Sequence, residues 1–364
     1  MNAPANILEQ QLVYPLGERL PAPAERIEVA PDIFWIRMPL PFALDHINLW
    51  LVRDEFAGRD GWTLIDTGAS TRDTRALWER VFADGLDGLP IVRVLCTHTH
   101  PDHVGLADWI GQRFEAPLWM SLGEYSTGRT WSINDERSVR MNLAHFQRHG
   151  VQDGPLLEGV RQRSDRPFTS LVPSMPGSFR RINDGEIIEI GRRGDRHRWR
   201  AIFGYGHSPE HVALYDEARR LLFSGDMILP RISSNVSVFE MEPEANPVAW
   251  YMDSLRRYED CAPDTLAFPS HGRPFRNIHR RIEQLIEHHE ERLAVVLEAC
   301  RQRPMHAAET VPVMFQREFD TQQTTFAIGE TLAHLHALWY RGLVRRETGA
   351  DGIVRFSATG APPR

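Results

Sequence analysis

Residues 91–105 read IVRVLCTHTHPDHVG: an apolar run short enough for one strand, then His98, His100, Asp102 and His103 within six residues. Histidine is 16 of 364 residues, so a chance H-x-H-x-D-H anywhere in the chain has a probability on the order of 10⁻³, and the pattern reads as a site. In an extended loop alternate side chains point the same way. His98 and His100 can therefore converge on one metal while Asp102 and His103 turn toward a second. Three further candidates share this placement: His207 follows WRAIF, Asp226 follows RLLFSG, and His271 follows TLAFPS. Each sits just past a short apolar strand, which puts all of them on one edge of a sheet, with small or glycine residues permitting the sharp exits. Five His and two Asp supply two metals with three or four ligands each. One carboxylate can bridge the ions and leave room for a water between them, at a separation of ~3.5–4 Å.

Working outward, strand-like runs stand at IFWIR, NLWLV, WTLIDTG, EIIEI and VALYD, and TRDTRALWERVFADG reads as an amphipathic helix. Asn246 and Pro247 open another helix, NPVAWYMDSLRRYEDC. The expectation is an α/β protein. Residues 1–25, with four prolines, suit an extended arm; 26–278 carry the site, with an insertion or cap at about 120–180. Residues 279–364 change to helices and then the alternating stretch LVRRETGADGIVRFSA, the outline of a helical, winged-helix-like domain.

Composition narrows the chemistry. All 42 basic residues are Arg, which excludes a Schiff-base lysine, a lysine general base and a Walker-type phosphate lysine. A net charge of −7 makes a nucleic-acid partner unexpected, and residues 280–364 hold 11 Arg against 11 acidic residues, a poor footprint for DNA. That tail is expected to pack or to form a homodimer. Cys96, Cys261 and Cys300 are far apart and odd in number, so neither a disulfide framework nor a thiolate zinc knuckle is indicated. With no signal peptide and no 18-residue apolar run, the expectation is a cytoplasmic protein without a membrane span.

With Asp66 in LIDTG, THTHPDH, GH at His207, GD at Asp226 and SHG at His271 in place, the chain resembles the metallo-β-lactamase superfamily over roughly residues 25–278. This is the fold of glyoxalase II, ribonuclease Z and many lactonases and thioesterases. The resemblance implies an αββα four-layer sandwich. It implies a first metal on His98, His100 and His207, a second on Asp102, His103 and His271, Asp226 as bridge, and Asp66 orienting a ligand from behind. It also implies two Zn²⁺, with Fe or Mn as alternatives, and a hydrolase in which Asp102 and Asp226 orient a metal-bridging hydroxide. The expected small-molecule substrate is a thioester such as an acyl-coenzyme A or acyl-glutathione, with a lactone or β-lactam after it. ETLAHLHALWYRGLVRR resembles the winged-helix extension of one subgroup, and Glu210 departs from the Gly that many members carry.

Around this pattern, His211 is a third ligand, a donor behind the ligands or a polar group at a helix start. Arg231 and Asn235, in the loop after Asp226, are candidate substrate contacts. Trp119, Tyr125 and Trp131 either wall an acyl pocket or form the insertion's own core. Three other readings stay open: a phosphodiesterase or endoribonuclease, a nucleic-acid-binding regulator with a vestigial hydrolase domain, and a mononuclear iron persulfide-type dioxygenase.

Overall fold

The computed structural model describes residues 8–42, 44–133, 135–152, 154–164, 168–317 and 319–360. Seven strands form one sheet in sequence order: β1 (Arg26–Ala30), β2 (Ile33–Pro39), β3 (His46–Phe56), β4 (Arg59–Ile65), β5 (Ile91–Leu95), β6 (Leu118–Met120) and β7 (Arg180–Arg181). Pairing is antiparallel from β1 to β4 and parallel from β4 to β7. A second sheet of five runs β12-β11-β10-β9-β8, with β8 (Ile187–Arg192), β9 (Asp195–Gly204), β10 (His211–Asp216), β11 (Leu221–Gly225) and β12 (Leu266–Pro269). Its pairs are antiparallel except β11 with β12.

Strands β5, β10, β11 and β12 are buried along their whole length because both faces of the sheets are covered there, while the edge strands β1, β7 and β8 keep exposed positions. Side chains alternate between two cores. In β9, Trp199, Ala201 and Phe203 face the other sheet, while Ile202 faces the outer helices. The layer between the sheets is aromatic: Trp35 stacks on Trp50 at 6.0 Å, Trp50 meets Phe268 at 5.0 Å, and Trp199 meets Phe223 at 4.8 Å. Each such pair adds about 0.5–1.5 kcal/mol beyond the area it buries. On the outer face of the first sheet lie α1 (Arg72–Asp84) and α3 (Ala107–Phe114), separated by the single-turn α2 (Pro101–Val104). Thr71 starts α1 by accepting the Thr74 amide. The layers are therefore α, β, β, α.

The expected insertion is a helical excursion. Leaving β6, the chain forms α4 (Leu122–Trp131), α5 (Glu136–Arg148) and α6 (Pro155–Ser164), then returns as β7 beside β6. The outer face of the second sheet is covered by α7 (Pro247–Arg256), α8 (Ile278–Gln302), α9 (Ala307–Met314) and α10 (Thr321–Tyr340), followed by the hairpin of β13 (Val344–Thr348) and β14 (Val354–Ala358). One hydrophobic cluster joins Ile202, Ala213 and Leu222 of the sheet to Ile282 of α8 and Leu332 of α10. The arm is tied down where it is described, since Leu12 is buried and Val13 bridges to Arg276. The Arg-rich run at 192–200 is the turn and second strand of the β8–β9 hairpin. Among the described residues, no helix is long and apolar enough to cross a membrane.

Candidate metal centre

Every strand that delivers a candidate side chain ends at the same rim. His98 and His100 lie in the loop after β5, and Pro101 at the first position of α2 turns the chain so that Asp102 and His103 face back. His207 stands between β9 and β10, Asp226 directly after β11, and His271 just past β12. The donor atoms of His98, His100, His207 and Asp226 fall within 4.8 Å of one another, as do those of Asp102, His103 and His271. Each group could hold a metal ion.

Asp226 faces both groups. Its Oδ2 is 3.3 Å from His207 Nε2 and 4.0 Å from His98 Nε2, while its Oδ1 is 3.4 Å from His271 Nε2 and 3.7 Å from His103 Nε2. Asp102 Oδ2 is 3.5 Å from both His103 Nε2 and His271 Nε2. Two buried atoms there, His103 Nε2 and Asp226 Oδ1, have no hydrogen-bond partner among the described residues. A buried orphan lone pair costs about 1–3 kcal/mol, and a cation between these atoms relieves both, so the donor set fits a pair of divalent ions.

The rings are fixed from behind. His103 Nδ1 bonds Asp66 Oδ2 at 2.9 Å, His207 Nδ1 donates to the Asn235 carbonyl at 2.8 Å, and His271 Nδ1 donates to the His46 carbonyl at 2.7 Å. Each bond commits Nδ1 and aims Nε2 inward, the usual way of setting a ligand's tautomer. His98 Nδ1 meets Thr97 Oγ1 at 3.1 Å, and that hydroxyl in turn bonds Asp66. Asp66 thus steadies two rings, and it does so from a left-handed backbone (φ 59°).

Charge follows from these neighbours. Burial, reinforced by the other imidazoles, holds His98 and His100 well below the ordinary histidine value, so both are neutral, and His98 Nε2 shares a hydrogen bond of 2.9 Å with His100 Nδ1. Burial also pushes His103 down, but the carboxylates of Asp102, Asp66 and Asp226 outweigh it and raise it well above the ordinary value, so a proton and a metal cation are alternative occupants of the Nε2 lone pair. Asp226 is held far below the usual carboxylate range: burial opposes ionisation, and His271 and His103 overcome it.

His211 is buried at the start of β10 and stands outside both donor groups. Its Nε2 accepts the Asp226 amide at 3.0 Å, and burial lowers it to about 3, which keeps that lone pair available. Gly225 makes this approach feasible, because a Cβ there would lie 2.2 Å from His211 Nε2. Arg231 is half-exposed and pairs with Glu9 of the N-terminal segment at 3.2 Å. The Asn235 side chain is engaged by Ser237 Oγ at 2.8 Å and Glu330 at 3.3 Å. Of the three aromatics, Trp119 packs in the layer between the sheets and Tyr125 stacks on Phe179. Trp131 alone of these reaches the site, parallel to the His100 ring at 6.3 Å, with Phe168 and Phe239 edge-on to it.

Sequence reasoning missed several supports. Buried Glu124 of α4 accepts the Thr99 amide at 2.9 Å, the Ser208 hydroxyl at 2.6 Å and the Glu210 amide at 2.7 Å, tying the loops of His98 and His207 together. Its one signal is the S-x-x-E spacing from Ser121, which reads as an ordinary helix start. Glu210 itself caps α4, accepting the Gly123 amide at 2.7 Å. His46 and Asn48 of β3 hold the His271 loop, through Gly272 N–H to His46 Nε2 at 2.8 Å and Asn48 Nδ2 to Pro269 O at 2.8 Å.

Comparison with known proteins agrees with this architecture. The family model described as the metallo-beta-lactamase superfamily matches residues 43–271, and that of the metallo-beta-lactamase-like C-terminal domain matches 293–359. A beta-lactamase domain protein from Burkholderia ambifaria is 50% identical, with a TM-score of 0.91 over 97% of this chain and 100% of that one. The probable metallo-hydrolase YqjP of Bacillus subtilis is 28% identical over 84% of this chain and 92% of its own length. The acyl-coenzyme A thioesterase MBLAC2 of Bos taurus is 27% identical over 54% of this chain and 63% of its length. The model match runs from β3 to His271 and takes in every candidate ligand, and on that ground the chain belongs to the metallo-beta-lactamase superfamily.

Proposed function

We propose that the protein is a dinuclear metal-dependent hydrolase of an ester-like carbonyl bond, a thioester first and a lactone after it. The observation that carries this reading is the split of the Asp226 carboxylate, one oxygen toward each donor group. His98, His100, His207 and Asp226 would hold one ion, and Asp102, His103 and His271, with Asp226 shared, the other. The donors are nitrogen and oxygen with no thiolate, which suits Zn²⁺ and also admits Fe or Mn. Bound there, two such ions supply a Lewis acid for a carbonyl oxygen and a water acidified to a pKa of about 7.

The chain's own residues do the rest. Asp226 and Asp102 accept hydrogen bonds from the attacking water and so orient its lone pair toward the carbonyl carbon. Asp102, with 15% of its side chain exposed against 9% for Asp226, is the acceptor from which a proton can leave. Trp131, Phe168 and Phe239 form an apolar wall beside His100 that excludes water and takes an acyl group. The likeness to the acyl-coenzyme A thioesterase MBLAC2 supports an acyl-coenzyme A substrate, with acyl-glutathione as a second thioester of the same reactivity, and an acidic, Lys-free chain suits either better than a polynucleotide. Three buried free thiols support a cytoplasmic setting. In this reading residues 1–25 are an N-terminal arm, 26–278 are the hydrolase domain with an insertion or cap at about 120–180, and 279–364 are a winged-helix-like module for packing or homodimerisation.

The test is elemental analysis, followed by rates on acyl-coenzyme A and acyl-glutathione set against bis(p-nitrophenyl) phosphate and short RNA. Two metals per chain and faster thioester turnover are expected. One iron per chain with oxygen consumption, or RNA cleavage without thioester turnover, would refute it.

A further inference from the structure

The loop after Asp226 is held from the C-terminal side. Arg281 of α8, almost wholly buried, donates from Nε to the Leu229 carbonyl at 2.6 Å and from Nη2 to the Ile232 carbonyl at 2.9 Å. Farther along, α10 lies against residues 235–238. A Cβ on Gly329 would meet Ser237 Oγ at 2.9 Å and its Cβ at 3.1 Å, so a larger residue would have to push Ser237 aside, and the Val238 amide reaches the Gly329 carbonyl at 3.4 Å. The next residue, Glu330, accepts from Asn235 Nδ2 at 3.3 Å. The carbonyl of that same Asn235 receives the His207 Nδ1 proton.

We propose that Glu330 is a positioning residue for His207, acting through Asn235, so that the C-terminal region completes one of the two donor groups from behind. Asn235 is clamped at both ends of its amide, Nδ2 by Glu330 and Oδ1 by Ser237. That clamp fixes the peptide whose carbonyl sets the tautomer and tilt of the His207 ring. The cost of placing a carboxyl there is visible: burial pushes Glu330 up to about 7, with Arg292 and the Asn235 bond opposing the rise. A residue kept only to pack α10 against the loop would be better served by an apolar side chain. The Glu330 backbone is in turn braced by its own helix, where His334 Nδ1 donates to the Glu330 carbonyl at 2.8 Å, and His289 of α8 meets His334 at 3.1 Å.

The inference rests on the two-ion reading, and the experiment separates the two. Metal-free full-length protein is titrated with Zn²⁺ against a chromophoric chelator, and with Co²⁺ in a His271→Ala background that leaves the His207 group intact. Removing a direct hydrogen-bond partner of a ligand costs about 10- to 100-fold in metal affinity. Glu330 stands one bond further out, so Glu330→Ala and Asn235→Ala should each weaken one equivalent by about three- to tenfold and leave the other unchanged. The double variant should add nothing further. Glu330→Gln, which keeps an oxygen for Asn235 Nδ2, should restore the wild-type affinity and the wild-type Co²⁺ absorption band. Both equivalents binding as in wild type, with only the melting temperature lowered, would overturn the positioning role. Wild-type protein that takes up no metal would overturn the two-ion reading, and this inference with it. If Glu330→Ala does not fold, Asn235→Ala breaks the same bond from the loop side, and wild-type binding in that variant is refutation.

Discussion

Replacing Glu124 should damage the site without touching any candidate ligand. The carboxylate is wholly buried and takes three hydrogen bonds, from the Thr99 amide, the Ser208 hydroxyl and the Glu210 amide. In Glu124→Ala all three donors lose their acceptor, at about 1–3 kcal/mol for each that stays dry. The full sum would approach the stability of a whole domain. Water entering the vacated space relieves part of it, so a loss of about 3–5 kcal/mol is expected. Glu124→Gln can keep one oxygen on Ser208 and Glu210 but turns an amide toward the Thr99 N–H, one donor against another, for about 1–2 kcal/mol. Thr99 lies between His98 and His100, so metal affinity should fall about tenfold in the same order. Urea unfolding of the metal-free variants gives the first quantity and chelator competition the second. An alanine variant within 1 kcal/mol of wild type, or one that loses stability with unaltered metal affinity, would refute the claim that this carboxylate ties the two loops together.

Gly225→Ala should cost about 3 kcal/mol and lower metal occupancy, because its Cβ meets His211 Nε2 at 2.2 Å and its φ is +54°; calorimetry with elemental analysis checks it, and a folded, fully metallated variant counts against the close approach. Asp226→Ala should abolish turnover and leave fewer than two metals per chain, since two cations then lack their shared anion; near-normal activity would remove Asp226 as the bridge. Glu330 also carries a pH signature. Its folded value of about 7 lies above the ordinary 4.5, so between these values the native state binds more protons than the unfolded one. Stability relative to Glu330→Gln therefore falls as pH rises through that window, by about 1–3 kcal/mol, and is level above it. Urea unfolding of both proteins at pH 5 and pH 8 tests the sign, and a wild-type stability that rises relative to Glu330→Gln between those values would overturn it.

What could be read from the chain was local. The seven side chains that meet at the rim each follow an apolar strand within a few residues, so strand period and motif spacing bring them to one edge without knowledge of long-range packing. Their supports obey no such rule. Glu124 looks like a helix start, and only the packing of α4 beside both loops turns its carboxylate inward. Glu330 lies more than a hundred residues from His207 in sequence and shares no pattern with it. The α9 helix carries Pro312 and is capped by His306, an unusual capping residue, so its signals read as a break. The β6 strand has three residues, too few for alternation to register. Trp119 and Trp131 are indistinguishable by type, and their destinations differ because one lies in a strand between the sheets and the other at the end of a helix beside His100.

The excursion from β6 to β7 leaves and re-enters the sheet on neighbouring strands, with Trp119 opposite Arg180 and Met120 opposite Arg181. Adjacent strands are only about 4.8 Å apart, so the two ends of this long segment nearly touch; Phe146, Val151, Leu157 and Val160 pack its helices into the main core, while the connections between those helices can lengthen at about 0.6 kcal/mol per doubling. Glu124 bolts down its first helix; the stretch from Ile133 to Phe179 carries none of the candidate ligands. Natural variation or grafting in that stretch, Phe168 included, can reshape what the site admits while the loops from β5, β9, β11 and β12 stay as they are, so selectivity and metal binding can evolve on separate parts of one chain.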